Sequence, residues 1–211
     1  MKFYFRIAAY LLVLNGLSSA VAGSYEDFFR ALRIDNAGAV SELLARGFDP
    51  NSPDEKGQTG LHLAIRDSSP KVAAVLLAHP AVRVDAPNAS DETPLMLAAL
   101  RGNLDTAQRL LDKGAAVNRP GWAPLHYAAT GPESKLVSLM LERGAQIDAP
   151  SPNGSTALMM AARYGADDSA LMLLARGAST TVRNQKDMNA ADFARSVGRD
   201  ALAAKLAPQA R

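Results

Sequence analysis

One short pattern recurs almost evenly along the chain and constrains its architecture more than any single residue. The copies read Thr59-Gly-Leu-His-Leu-Ala64, Thr93-Pro-Leu-Met-Leu-Ala98, Ala123-Pro-Leu-His-Tyr-Ala128, Thr156-Ala-Leu-Met-Met-Ala161 and Asn189-Ala-Ala-Asp-Phe-Ala194, with first residues 34, 30, 33 and 33 apart. A weaker copy, Glu26-Asp-Phe-Phe-Arg-Ala31, lies 33 residues before the first. A period of this size marks a stacked repeat protein, in which no unit buries its apolar face alone.

The second half of each unit fixes the register. Twelve residues after the final Ala of each motif comes an apolar pair: Leu43-Leu44, Leu76-Leu77, Leu110-Leu111, Met140-Leu141 and Leu173-Leu174. Gly47, Gly114, Gly144 and Gly177 follow four of these pairs, where a left-handed residue ends a helix. Pro80 takes that place in the remaining unit and stops the helix because it donates no backbone hydrogen bond. Turn residues then form a tip: Asp54-Glu-Lys-Gly57, Pro152-Asn-Gly154 and Asn184-Gln-Lys-Asp187. One unit therefore reads as helix, tight turn, helix, projecting hairpin. A Thr at the first motif position suits a helix N-cap, and Pro94 or Pro124 at the next leaves no donor wasted. The copy at Ala123 lacks the capping hydroxyl.

The T-P-L-H-x-A signature resembles the ankyrin repeat, over nearly the whole chain after residue 24. The expected fold is all-α: an ankyrin-repeat solenoid of helix-turn-helix units with short β-hairpin fingers. The units are expected at about 25–57, 58–91, 92–121, 122–154, 155–187 and 188–207, within one domain spanning 23–211. The two end units read as caps, with Arg30, Arg33 and Asp35 at one end and Arg195, Arg199, Asp200 and Lys205 at the other suiting water. Pro208 to Arg211 is expected to fray.

Residues 1–22 have a different character. Lys2 and Arg6 form a basic start, Ile7 to Leu14 is unbroken apolar, and Ala20-Val21-Ala22 is a small-x-small site. This is the order of a secretory signal peptide, with cleavage expected after Ala22. The competing reading is a membrane anchor, but Ile7 to Ala22 gives only 16 residues, with Asn15, Ser18 and Ser19 among them, against the roughly 20 a span needs. The leader takes two of the 23 basic residues and none of the 21 acidic ones, so the mature chain is formally neutral. It lacks the clustered basic footprint of a nucleic-acid binder. The absence of cysteine excludes a disulfide framework, thiol chemistry and a lipid anchor through Cys.

Nothing in the pattern argues for catalysis. Serines fall in turns without a G-x-S-x-G or a neighbouring base, and glycines sit where helices end. Acidic pairs such as Asp54-Glu55 and Asp167-Asp168 read as solvated turns. His62 and His126 occupy the fourth motif position, where the resemblance implies hydrogen bonds to neighbouring turns. His79 precedes Pro80 at a helix end, where a cation suits the dipole. No pair has i,i+4 spacing, so no zinc site is expected, nor any cofactor.

The remaining function is binding. The resemblance implies a concave groove lined by the fingers (Glu55, Lys56 and Gln58; Ala89, Ser90 and Glu92; Pro152, Asn153 and Ser155; Gln185, Lys186 and Met188) and by the ends of the first helices. The candidate protein-binding residues are Arg66, Leu100, Arg101, Trp122, Arg163 and Tyr164, because Arg and aromatic residues most often dominate interfaces. One irregularity sharpens the choice. From helix stop to next motif the spacing is 12, 13, 12 and 12 residues, but only 9 from Gly114 to Ala123. This shortened finger carries the sole Trp, Trp122, and is expected to open a notch with the indole at its floor. The alternative is that Trp122 simply covers the seam. The expected protein is an exported, monomeric, non-enzymatic binder, placed most simply in a bacterial periplasm, without nucleic acid or a stable membrane anchor as partner. An immunity-type inhibitor of a toxin or enzyme, and a secreted effector acting on host proteins, are the alternatives.

Overall fold

The computed structural model describes residues 19–208, with side chains from Gly23 onward. The leader expected at 1–22 therefore lies outside the described residues except for the backbone of Ser19–Ala22, as does most of the tail expected to fray.

Twelve helices follow one another among the described residues. They are α1 (Ser19–Arg33), α2 (Ala37–Ala45), α3 (Gly60–Arg66), α4 (Pro70–Ala78), α5 (Pro94–Leu100), α6 (Leu104–Asp112), α7 (Pro124–Thr130), α8 (Lys135–Glu142), α9 (Ala157–Tyr164), α10 (Asp167–Ala175), α11 (Ala190–Arg195) and α12 (Asp200–Lys205). Odd-numbered helices pack side by side in one layer; α2, α4, α6, α8 and α10 form the other, each second helix against its own first.

Small residues make the inner layer tight. Ala64, Ala98, Ala99, Ala128, Ala129, Ala161 and Ala162 are all buried, as are the motif leucines Leu61, Leu95, Leu125 and Leu158. In the second layer Leu43, Leu76, Leu110, Met140 and Leu173 are buried, so the repeated apolar pair supplies the inter-layer core. The glycine stops behave as expected. Gly47, Gly114, Gly144 and Gly177 have φ near +90°, and Phe48 N, Ala115 N, Ala145 N and Ala178 N bond back to Leu43, Leu110, Met140 and Leu173 carbonyls. This is the Schellman arrangement, which satisfies carbonyls left over at a helix end. Gly165 answers a different need: a Cβ there would lie 2.0 Å from the Ala129 carbonyl oxygen of the preceding unit.

The helix starts differ from the expected Thr cap. Only Thr93 Oγ1 comes within reach of the third amide, accepting from Met96 N at 3.4 Å. The Thr59 hydroxyl instead meets His62 Nδ1 at 2.8 Å, and the Thr156 hydroxyl is buried without a partner. The recurring device is the reverse contact, from the cap amide to the fourth motif side chain. Thr59 N donates to His62 Nδ1 (3.2 Å), Ala123 N to His126 Nδ1 (3.1 Å), and Asn189 N to Asp192 Oδ2 (3.1 Å). Sulfur plays that part at Met96 and Met159. Loss of Thr at Ala123 thus leaves the reverse contact intact.

The fingers are hairpin-shaped, but the single β-bridge among the described residues is Pro53–Thr59. Each full finger is closed by one i+4 to i backbone contact: Gln58 O accepts from Asp54 N, Glu92 O from Asn88 N, Ser155 O from Ser151 N and Met188 O from Asn184 N. Side chains complete the turns. Asp54, Asn88 and Asn184 carboxylate or amide oxygens each accept two finger amides, as Asn153 accepts one. These local bonds replace a strand ladder.

Polar residues also stitch units together. Asn51, Asp85, Asn118 and Asp148 each accept from a backbone amide of the next unit: Arg83, Ala116, Gln146 and Ser179 respectively. The end caps are less solvated than their composition suggests. Asp35 accepts from Val72 N at 2.9 Å and so serves the start of α4 in the next unit. Arg199 donates to the Ala161 and Ala162 carbonyls and pairs with Asp167, closing the end of α9. Val197, the apolar residue between the end of α11 and Arg199, is exposed.

Candidate functional site

The two motif histidines are structural. His62 Nε2 meets the Glu92 carbonyl at 3.1 Å and His126 Nε2 meets the Ser155 carbonyl at 3.1 Å. Because Nδ1 of each ring accepts from its own cap amide, Nε2 carries the proton in a neutral ring. Burial is the larger influence on both and pushes their pKa values below the ordinary histidine value, against the carbonyl contacts that raise them. Each ring ties the start of a first helix to the following finger. Among the described residues no three His, Asp or Glu side chains group as a metal-binding set, and no helix is long and apolar enough to cross a membrane.

The candidate binding residues separate into three places. Arg66, at the end of α3, grips Asp67 through two bonds (2.7 and 3.0 Å) and reaches Gln58 of its own finger. That bidentate contact, foremost, holds the Asp67 carboxyl below its usual range. Arg66 lines a cavity of about 330 Å³ with Tyr25, Phe29, Asp54 and Glu55. Leu100 and Trp122 meet in a second cavity of about 190 Å³, completed by His126, Tyr127, Thr130 and Met160. Arg101, which follows Leu100, is exposed and forms no side-chain hydrogen bond or ion pair among the described residues. Arg163 and Tyr164 form a pair at the end of α9, the guanidinium 5.3 Å from the ring centre. Tyr164 is 57 % exposed, while Arg163 reaches Ser196 in the last unit at 2.8 Å and its Nε is buried without a partner.

The shortened finger explains the second cavity. The 115–122 segment has no internal backbone hydrogen bond of the kind that closes the full fingers. Arg119 anchors it instead, reaching back to the Asp91 carboxylate with two 2.8 Å bonds. Gly121, at φ +78°, makes the turn close to Pro152 of the next finger. The Trp122 indole is half-buried, edge-on to His126 at 5.4 Å between ring centres. It therefore has both expected roles: it packs over the seam and walls an open notch.

Sequence reasoning missed Tyr127 and Met160, which share the fifth motif position. Leu63, Leu97 and Phe193 are buried at that position, whereas Tyr127 and Met160 are half-exposed beside the missing finger. Tyr127 O–H donates to Glu92 Oε1 at 3.3 Å; burial first, and the Glu92 carboxylate second, push its pKa up to about 12. Among the proposed fingertip contacts, Ser155 is buried and bonded to Asn184, so it presents no free surface.

Residues 28–120 and 116–184 match the ankyrin repeats (3 copies) family. The chain belongs to the ankyrin-repeat family. Among solved structures, this ankyrin-repeat chain is similar to the ankyrin repeat domain of Bcl-3, described as a unique member of the IkappaB protein family. The TM-score is 0.68 at 28 % identity, over 82 % of this chain and 78 % of that one. It is also 35 % identical over 136 residues to the putative palmitoyltransferase ZDHHC13 of Danio rerio, covering 62 % of this chain but 21 % of the relative. Against the B-cell lymphoma 3 protein homolog of Mus musculus it is 30 % identical over 152 residues, 69 % of this chain and 34 % of the relative. The chain thus spans about a fifth to a third of these curated relatives. Ankyrin repeats are protein-interaction scaffolds, and that is the class of this chain.

Proposed function

We propose that this protein is an exported, non-enzymatic binder that holds another protein against the concave, finger-side face of its ankyrin stack, in a bacterial periplasm. The observation that carries the binding part is the apolar notch at Leu100 and Trp122, with exposed Arg101 on one side and the Arg163–Tyr164 pair on the other. A Trp, a Tyr and two arginines gathered along one face have the composition of an interface centre. Elsewhere on the stack the turn Asp and Asn side chains go to finger closure and unit-to-unit bonds. Export rests on the basic, apolar, small-x-small order of residues 1–22. The protein acts as a monomer and needs no cofactor.

Two measurements test this. Expression with the intact leader, followed by fractionation and N-terminal sequencing, should give a soluble periplasmic chain starting at Gly23. A full-length chain retained in the membrane contradicts export. A photo-crosslinking residue at Tyr164 should capture a partner protein in cells, while the same probe at Glu142 on the second-helix layer should not. Capture from Glu142 alone would put the interface on the opposite face.

A further inference from the structure

The cavity at the shortened finger is walled mainly by carbon, and the polar groups of His126, Tyr127 and Thr130 are already engaged. His126 uses Nδ1 on Ala123 N and Nε2 on Ser155 O. Tyr127 O–H goes to Glu92, and Thr130 O–H goes to the His126 carbonyl of its own helix. What the walls offer a visitor is the Leu100 and Met160 side chains and the Trp122 and Tyr127 rings. A polar ligand would lose hydrogen bonds with water there and gain at most the one that the Trp122 N–H can donate.

Size narrows the occupant further. About 190 Å³ is small beside the roughly 300–1,000 Å³ of sites for drug-sized ligands. It is slightly larger than the roughly 150 Å³ apolar cavity that holds a benzene ring. The space suits one large side chain.

Two arginines next to lining residues say what flanks that side chain: Arg101 follows Leu100, and Arg163 lies one helical turn after Met160. On this face Arg66 and Arg119 hold the carboxylates of Asp67 and Asp91. Arg101 and Arg163 form no ion pair among the described residues: Arg101 acts on Asp67 through its charge alone, and Arg163 has the neutral Ser196 hydroxyl and the Tyr164 ring. The Trp122 N–H makes no hydrogen bond among the described residues, which leaves a donor at the mouth for a peptide carbonyl.

We propose that the notch receives one bulky apolar side chain, aromatic or Leu, from an extended segment of the partner protein. Acidic residues on either side of it engage Arg101 and Arg163. This rests on the concave-face reading above and names the chemistry of what that face holds.

The test uses the full mature chain and a random-peptide phage library. Enriched peptides should share a bulky apolar residue with Asp or Glu within a few positions. Synthesised, they should shift the emission of Trp122, the sole Trp, saturably to the blue. Replacing the apolar residue by Ala, or the acids by Lys, should each weaken binding roughly tenfold or more. Leu100→Glu should abolish binding, with its melting curve recorded alongside. No enriched peptide, a consensus without acids, affinity indifferent to Leu100→Glu, or a fatty acid that shifts the emission when the peptides do not, would each overturn the proposal. Peptides that compete with the partner captured at Tyr164 but leave Trp122 emission unmoved would defeat the notch and leave the concave-face reading standing. Peptides that fill the notch without displacing that partner would show that the partner does not use it.

Discussion

The segments leading into α9 (149–156) and α7 (117–123) join the same kinds of element in consecutive units, and they are held in opposite ways. The longer one closes on itself: Ser151 N bonds Ser155 O, Gly154 N bonds Ser151 O, and Asn153 Oδ1 accepts from Ser155 N and Ser151 Oγ. It then offers the Asn153 carbonyl to Gln185 N of the next finger. The shorter one has no such closure; beyond the Asn118 bond to the next unit, which Asp148 matches beside the longer one, it is fixed from outside by Arg119 on Asp91 and by Trp122 on His126. A turn closed by its own bonds covers the helix beneath it. Removing three residues takes away that cover but leaves the underlying core in place, and the uncovered helix surface becomes the notch. In this stack, a locally shortened finger leaves an open notch without disturbing the repeat.

The comparison assumes that both segments rest on one uninterrupted core, and the most damaging substitutions probe that assumption. Leu110 is fully buried in the unit just before the short finger. Leu110→Ala should cost about 2–5 kcal/mol in a chemical melt, the usual range for a buried leucine. A loss well under about 1 kcal/mol would mean the core is interrupted there. Gly165→Ala should cost about 1–3 kcal/mol or more, because its Cβ would strike the Ala129 carbonyl across the unit boundary. A neutral melt would show that units four and five are less closely stacked.

Arg101→Ala and Tyr164→Ala sharpen the functional side. Each should weaken partner binding by about 1–3 kcal/mol, a tenfold change for each 1.4 kcal/mol. Their thermal unfolding should stay within about 0.5 kcal/mol of the parent, since both side chains are exposed. Calorimetric titration with the captured partner measures the first and a melt the second. Unchanged affinity in both variants would move the interface away from this face.

Finger closure itself gives smaller effects with a predicted order. Asn184→Ala strands the Lys186 and Met188 amides and should cost about 1–2 kcal/mol. Arg119→Ala breaks a pair whose carboxylate is exposed although the guanidinium is largely covered, and should cost about 1 kcal/mol or less. The reverse order in chemical melts would mean that the short finger depends on Arg119 more than a full finger depends on its turn.

Acid should loosen both kinds of finger gently. His62 and His126 have folded pKa values lowered from 6.5, so the unfolded chain binds protons first. Their contribution is fully present above about pH 6.5 and is lost as pH falls from there through the lowered folded values. Melts between about pH 7 and about pH 5 should show this decline, and it should shrink in a His62→Gln, His126→Gln double variant. A decline unchanged by the double substitution would assign the acid sensitivity to other groups.

Much of the fold was legible because it depends on spacing. The motif, the apolar pair twelve residues on and the glycine stop are local patterns, and each keeps one physical meaning in every unit. The shortened finger was visible by the same arithmetic, and with it the place of Trp122 and Leu100. What sequence reading lost was direction. Asp35 and Arg199 read as solvated caps because their types are polar, yet both point at backbone groups about one period away. The Asn51, Asp85, Asn118, Asp148 series was present four residues after Gly47, Gly114 and Gly144 and five after Pro80, but its partners lie in the next unit. Tyr127 and Met160 drew no notice because the fifth position is buried at Leu63, Leu97 and Phe193; beside the shortened finger the two are only half-buried.

The most direct test restores the missing residues. Inserting Pro-Asn-Gly between Arg119 and Pro120 returns the spacing to the 12 of the neighbouring finger. Affinity for the protein captured through Tyr164 is then measured beside the parent, with a melt to confirm that the stack is folded. The account predicts a folded variant that binds roughly tenfold or more weakly, about 1.4 kcal/mol or beyond. A folded variant that binds its partner as tightly as the parent would contradict it.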